Sequence, residues 1–454
     1  LKRAGTDLRF RENAATAIRN SSLRSALRKA TDLLSSKRAQ GVASIPLESW
    51  RDQASAVRTE VLDDLHAYVD RFAFKATRAG AVVHRARDAA VARDIVFHLL
   101  QDRGAKTIVK AKSMVTEEIH LNQHLEARGM EVIETDLGEY IVQMAGEAPS
   151  HILGPAIHKN RREIGRLFAE KLGVEYSDDP EVLTKIARRT LRDKFFCAQA
   201  GISGANFAIA DSGSIVLFTN EGNGRMVTTL PPIHIVVMSI EKIIPSLADL
   251  PTFVRLLPRS ATGQPLSSYM SVITGTRKPG ETTGAGELHI VLVDNGRSQI
   301  VMGDYREILK CIRCSACINV CPVYSEVGGH AYDSPYSGPM GIVLTIMLEG
   351  MEKAHSLLDA STLCGACDEV CPVKVPLKKL LRSLREQRVR DGLTSRTERI
   401  GMAAISLSSQ LPILFRFGQN ISRFVWPILN KIERESNLSR IPRPAKTTFR
   451  RRIS

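Results

Sequence analysis

Seven cysteines lie between residues 311 and 371 of this 454-residue chain, and their spacing is its strongest chemical signal. Cys311, Cys314, Cys317 and Cys321, with Pro322 next, read C-x2-C-x2-C-x3-C-P. Bacterial ferredoxins hold a [4Fe–4S] cluster with this run. The short intervals wrap three thiolates around one cubane, and the fourth cysteine reaches the other cluster of a two-cluster protein. Small residues such as Ser315 and Ala316 let the loop curl. A second run, Ser361, Cys364, Cys367 and Cys371-Pro372, keeps the last three cysteines and puts serine where the first should stand. The crossed logic gives one cluster Cys311, Cys314, Cys317 and Cys371, as a [4Fe–4S] centre. It gives the other Cys321, Cys364 and Cys367 only. That second site is expected to be [3Fe–4S], or [4Fe–4S] with water, Ser361 or a substrate on the odd iron, and the spacing leaves these open.

Zinc fits this pattern poorly. Structural zinc takes four ligands per ion, commonly as two C-x2-C pairs, and seven cysteines in crossed order do not divide that way. Disulfides are disfavoured by the close spacing and by the expected compartment. The eighth cysteine, Cys197, stands alone on an apolar run and is expected to be a small buried hydrophobe.

The elements that must position these thiols follow from periodicity. Residues 1–80 read as an N-terminal helical region. One stripe runs through Leu23, Ala26, Leu27, Ala30 and Leu33 behind Ser22, and a second through Trp50, Ala54, Val57, Val61, Leu65 and Phe72. Residues 81–300 alternate short apolar strands (107–110, 131–134, 214–218, 233–238 and 288–293) with helical patterns at 89–100, 113–126 and 180–198. That alternation predicts an α/β domain with a largely parallel sheet. Residues 301–390 hold the cysteines among helical patterns at 339–358 and 377–390, which predicts an all-helical dicluster domain of ferredoxin type. Residues 391–454 form a basic tail.

Charge is uneven. The chain carries +15 formally, and residues 377–454 hold 18 Lys and Arg against 5 Asp and Glu. This end is expected to meet an acidic protein surface or an anionic membrane surface. The apolar but interrupted segment 400–426 suits docking rather than spanning. Nucleic acid is not expected, because the basic residues are not interleaved with stacking aromatics. The longest stretch without Asp, Glu, Lys or Arg is 17 residues, 260–276, rich in Ser, Thr and Gly, so it does not span a bilayer. The first residues carry charges and no apolar signal core, and a cytoplasmic location is expected. The leading Leu1 reads as an alternative start or a trimmed end.

The chain also resembles the lactate utilisation protein B family, the iron–sulfur subunit of a three-protein bacterial L-lactate oxidation system. The resemblance rests on VKAKSM (109–114), ETDLGEYI (134–141), PSHILGPAIH (149–158), TNEGN (219–223), VDNGR (293–297), YSGP (336–339), PRPAK (442–446) and both cysteine runs. One departure is Gly284-Ala285, where the family suggests a Gly-Pro pair. The resemblance implies a coenzyme A transferase-like α/β domain, a dicluster domain and a tail. It implies electrons passing from lactate oxidation through the clusters to an acceptor, with sister subunits as partners. Serine at 361 is usual for the family.

Other polar residues carry weaker readings. Glu221 follows a strand, where a coenzyme A transferase-like enzyme could use a carboxylate nucleophile. A solvated glutamate in a glycine-rich turn is favoured. His151 and His158 are expected to pack or cap rather than to bind a ligand. Asp136 and Glu139 are candidates for a shared cleft. No G-x-G-x-x-G follows a strand, so no dinucleotide site is assigned. The expected role is an electron-transfer component rather than a stand-alone catalyst. The alternative is a coenzyme A transferase-like enzyme with accessory clusters, and a redox-sensing nucleic-acid binder is the weakest option.

Overall fold

The computed structural model describes residues 8–410. Four helices come first: Phe10–Arg19, Ser21–Val42, Leu47–Asp63 and Leu65–Arg78. The second is capped by Asn20, whose side chain accepts from the Leu23 N–H. Its buried face is Leu27 and Thr31, one turn apart, while Leu33 is 52% exposed. The expected stripe therefore ends early, since two residues beyond Thr31 lie about 200° around the helix. The second stripe holds, with Ala54, Val57, Val61, Leu65 and Phe72 all buried.

Ten strands follow: β1 Val82–Ala86, β2 Thr107–Lys110, β3 Glu131–Glu134, β4 Ala200–Ser203, β5 Phe207–Ile209, β6 Ser214–Thr219, β7 Ile233–Ser239, β8 Ile243–Ile244, β9 Tyr269–Ile273 and β10 Glu287–Val293. Six of them form one sheet in the order β1-β10-β7-β4-β2-β3. Every neighbouring pair in it is parallel. All seven residues of β7 are buried, as a parallel strand covered on both faces should be. Ile235 and Val237 pack on one side with the helix Ala89–Gln101. Val236 and Met238 pack on the other with Leu65–Arg78. In β4, a Cβ on Gly201 would stand 2.0 Å from the Val227 carbonyl oxygen, so glycine lets the helix Asn223–Thr229 lie against the strand.

Two expectations need correction. The strand at 214–218 is not in the parallel sheet. It pairs antiparallel with β5 and β9 in a second sheet, β8-β5-β6-β9. Only a tight turn separates β5 from β6, and a parallel pair would need a long crossover. The helix expected over 113–126 is two helices, Met114–Glu118 and Leu121–Glu126, broken where His120 takes φ 51°.

After β10 the described chain is helical. The cysteine-bearing segment contains helices Ala316–Asn319, Tyr324–Val327, Gly338–Glu349, Met351–Ala354, Ala366–Val370 and Leu377–Arg390, with 3-10 turns at Arg306–Lys310, His330–Tyr332 and His355–Ala360. The pattern at 339–358 breaks at Gly350, φ 88°. The core of this segment also takes in Phe10, Leu27, Ala54 and Val57 of the N-terminal helices.

Of the described residues, those through Arg385 form one compact unit and those from Glu386 another. The second includes the helix Arg396–Gln410. The rest of the apolar stretch at 400–426, from residue 411, lies outside the described residues. Among the described residues no helix is long and apolar enough to cross a membrane.

His234 of β7 gives the first prediction. It is 1% exposed, its Nε2 lies 2.8 Å from Ser203 Oγ, and burial lowers its pKa from 6.5 to about 3. A depressed histidine withholds no stability above its unfolded pKa, and folding weakens as pH falls from 6.5 toward 3. The linkage amounts to roughly 2 kcal/mol at pH 5. Thermal denaturation at pH 7 and pH 5 should show this fall reduced in His234→Gln; an unchanged pH profile would contradict it.

Candidate metal centre

The cysteines of the two runs gather around two cavities. One is lined by Cys311, Cys314, Cys317 and Cys371, with apolar walls from Ile312, Met340 and Val373. It spans about 380 Å³, counting solvent at its mouth. The other is lined by Cys321, Cys364 and Cys367, with Ser361 and Lys378, and spans about 300 Å³. Each run thus sends its last cysteine across to the other cavity. The short helices Ala316–Asn319 and Ala366–Val370 lie against each other and carry these crossings.

Local backbone explains the curl. Arg313 and Ser315 take φ 60° and 65°, and Leu363 and Gly365 take 54° and 90°. Left-handed non-glycine residues cost roughly 1–2 kcal/mol each, so the packing around the cavities must hold them. Backbone N–H groups point at the sulfurs. Arg313 N–H donates to Cys311 Sγ at 3.4 Å and Val375 N–H to Cys371 Sγ at 3.2 Å.

None of the eight cysteines is paired in a disulfide. Burial, reinforced by neighbouring thiolates, pushes Cys371 up to about 11 and Cys314 and Cys317 higher. Burial and then Asp368 push Cys367 to about 12. Such thiols favour the protonated form near neutral pH, and a cation that pairs with them releases the proton. Cys364 differs: it is exposed, and the Ala366 N–H lowers its pKa. Among the described residues, no three His, Cys, Asp or Glu side chains are grouped to hold a single metal ion. The thiols surround a space, and that donor set fits a multi-iron cluster.

Buried charges tie the first cavity to the carboxyl ends of the parallel strands. Glu241 follows β7 and is 0% exposed. Arg297 Nε lies 2.7 Å from its Oε2, and Arg313 Nη2 donates to its Oε1 at 3.1 Å. Arg297 also donates to both oxygens of Glu118, at 2.9 and 2.6 Å, and Tyr336 Oη donates to Glu118 Oε2 at 2.6 Å. Burial alone would push Glu241 up; Arg297 and Arg313 outweigh it and hold the carboxylate at about 2. Arg58, 1% exposed, donates to the carbonyls of Lys310, Leu309 and Ile243 at 3.2, 2.8 and 2.7 Å and to that of Glu241. Arg51 donates to the Cys371 carbonyl at 2.8 Å and Arg38 to that of Val370 at 3.0 Å. N-terminal helices thus grip both cysteine runs. The sequence offered no signal for these roles beyond the residue types themselves.

The other candidates are placed as follows. His151 is buried, and its Nδ1 accepts from the N–H groups of Leu153 and Gly154. Its Nε2 lies 3.0 Å from Asn319 Oδ1, between Cys317 and Cys321 in sequence. Burial lowers it to about 4, so the ring is a neutral structural bridge. His158 Nε2 lies 2.7 Å from Glu147 Oε2. Asp136 caps the helix Leu137–Met144, accepting from the Gly138 and Glu139 N–H groups. Glu139 is buried near Lys112, at 3.7 Å, and burial raises it to about 8. Glu221 is exposed in the bend after β6. Cys197 overturns its expectation: it is exposed. The helix Pro180–Cys197 buries Leu183, Ala187, Leu191 and Phe195, and a residue two beyond Phe195 faces away from that stripe.

Residues 69–293 match the family model described as the LUD domain, and residues 307–375 match the 4Fe-4S dicluster domain. Lactate utilization protein B of Bacillus subtilis (strain 168) is 43% identical over 445 residues, covering 97% of this chain and 92% of that protein. The namesake from Geobacillus thermodenitrificans (strain NG80-2) is 48% identical over 377 residues, 83% of this chain and 79% of that protein. The chain belongs to the lactate utilization protein B family. Within this family member, the LUD match spans all six strands of the parallel sheet, and the dicluster match spans all seven cysteines of the two cavities.

Glu241→Gln should destabilise the protein by about 3–5 kcal/mol, because it leaves the buried Arg313 guanidinium without its carboxylate partner while Arg297 keeps only Glu118. Denaturant unfolding of the anaerobic protein reads this out, and a loss below about 1 kcal/mol would show that the network is solvent-screened.

Proposed function

We propose that this chain is the iron–sulfur electron-transfer subunit of a complex that oxidises L-lactate to pyruvate, and not a stand-alone catalyst. The observation that carries the reading is the pair of cysteine-lined cavities, an inner one whose cysteines are buried or half-buried and an outer one at the exposed Cys364. Cys311, Cys314, Cys317 and Cys371 would hold a [4Fe–4S] cluster in the inner cavity. Cys321, Cys364 and Cys367 would hold a [4Fe–4S] or [3Fe–4S] cluster in the outer one. Such clusters supply one-electron redox chemistry. Lactate oxidation releases two electrons and two protons, and two one-electron centres match that count.

The residues of the chain do the rest. Arg313 sets a permanent positive charge beside Cys311, and the backbone N–H groups of Arg313 and Val375 hold sulfur lone pairs. Both favour the more reduced, more negative state of the inner centre. The apolar walls keep water from it. The outer cavity is placed to exchange electrons with a partner.

In this reading the functional units are 1–80, 81–300, 301–390 and 391–454. The α/β unit, coenzyme A transferase-like by resemblance, acts as a scaffold for the clusters. Sister subunits and an electron acceptor are the partners. The protein works in the cytoplasm, with the basic tail as its contact to an acidic partner or a membrane surface.

Cysteine variants test the assignment. Substituting Cys311, Cys314, Cys317 or Cys371 by Ala should abolish one EPR signal of the reduced protein, and substituting Cys321, Cys364 or Cys367 should abolish the other. Cys197→Ala should keep both. If Cys371→Ala removed the signal that depends on Cys364 and Cys367, the crossed assignment would be wrong.

Glu221→Ala should keep lactate-dependent electron flow in the reconstituted complex. Complete loss of flow with both clusters intact would instead favour covalent catalysis by that carboxylate.

A further inference from the structure

The two cysteine runs repeat one another in more than spacing. A 3-10 turn precedes each, Arg306–Lys310 before Cys311 and His355–Ala360 before Ser361. Two residues on, Arg313 and Leu363 both take left-handed backbone, φ 60° and 54°. Ser315 and Gly365 do so next, and a short helix follows in each case. The Arg313 N–H donates to Cys311 Sγ at 3.4 Å. At the matching place the Leu363 N–H donates to Ser361 Oγ at 3.2 Å. Ser361 Oγ is therefore held by the same backbone donor that holds the sulfur of Cys311.

Ser361 lines the outer cavity with Cys321, Cys364 and Cys367. Its carbonyl accepts from Arg385, as does that of Leu358, so the turn that presents it is pinned from outside the cavity. One accepted hydrogen bond leaves the hydroxyl with a lone pair and a proton to spare. Lys378 lines the same cavity and adds a positive charge to its wall.

We propose that Ser361 Oγ is the fourth protein ligand of the outer cluster, on the iron that no cysteine reaches. This rests on the two-cluster reading above. An Fe–O bond forms, the hydroxyl proton passes to solvent, and no electron moves. The outer centre is then a complete [4Fe–4S] cluster with three thiolates and one alkoxide. The harder oxygen ligand favours the oxidised iron, so this centre should have a lower potential than an all-cysteine one.

The test is anaerobic iron analysis, Mössbauer and EPR spectroscopy on the full chain and two variants. The natural protein should hold about eight irons. Ser361→Ala should lose one iron and show an oxidised [3Fe–4S] signal, with the inner cluster's signal unchanged. Ser361→Cys should keep all the iron and move the outer cluster's midpoint upward. A Ser361→Ala protein with full iron and unchanged Mössbauer parameters would overturn the proposal, because water or another small ligand would then occupy that iron. A natural protein carrying a [3Fe–4S] centre would overturn it too. Iron for one cluster only would instead sink the two-cluster reading on which it rests.

Discussion

A carboxylate with no exposed surface, Glu241, joins the parallel sheet to the cysteine-bearing segment. Isolated in a protein interior it would take up a proton, since desolvation penalises the charged form. It stays ionised because Arg297 and Arg313 approach it from two sides. Those three residues come from three places: the 3-10 turn Ile240–Lys242 after β7, the start of the helix Arg297–Met302 after β10, and the loop between Cys311 and Cys314. Arg297 is also paired with Glu118, but Glu241 has both its guanidinium partners only when all three segments arrive together. Burying charges is costly, and a broken pair is far worse than an intact one. The network thus makes the sheet edge and the first cysteine run a single assembly.

That constraint also places the chemistry. Ligands of open parallel sheets sit beyond the carboxyl ends of the strands. Here the ends of β7 and β10, through Glu241 and Arg297, face Arg313 and Tyr336. His151 reaches Asn319 from the loop after the helix Leu137–Met144. Close backbone approach completes the seam: a Cβ on Gly329 would stand 1.7 Å from the Ser150 carbonyl oxygen. The cysteine segment therefore occupies the edge where an α/β enzyme would hold its ligand. This is a physical reason to read the β7 and β10 end of the sheet as scaffold; Glu221 lies apart from it in the bend after β6, its carboxyl pKa raised by burial and then by Asp136.

Different parts of this arrangement were legible in the sequence for different reasons. Cysteine spacing is a local property, so the crossed grouping of Cys321 and Cys371 into opposite cavities could be read directly. Continuous apolar runs revealed β2, β3, β7 and β10. Strand β4, Ala200–Ser203, was hidden because its Gly201 and Ser203 answer to the helix above and to His234 rather than to hydrophobicity. The second sheet was hidden because a hairpin strand and a crossover strand share one composition. Cys197 was misread because Phe195 and Phe196 next to it suggest burial, while helical phase turns it outward. The Glu241 network lay beyond reach altogether, since Glu118, Glu241, Arg297 and Arg313 look individually like surface charges and meet only in three dimensions.

The central claim is that electrons from lactate pass into these clusters through a complex. The most direct measurement is EPR after anaerobic addition of L-lactate, first to the chain alone and then to the chain with its sister subunits. The account predicts no reduction of the isolated chain and appearance of the reduced-cluster signals when the subunits are present. Clusters that a chemical reductant reduces, but that stay oxidised with lactate in the complete complex, would contradict it.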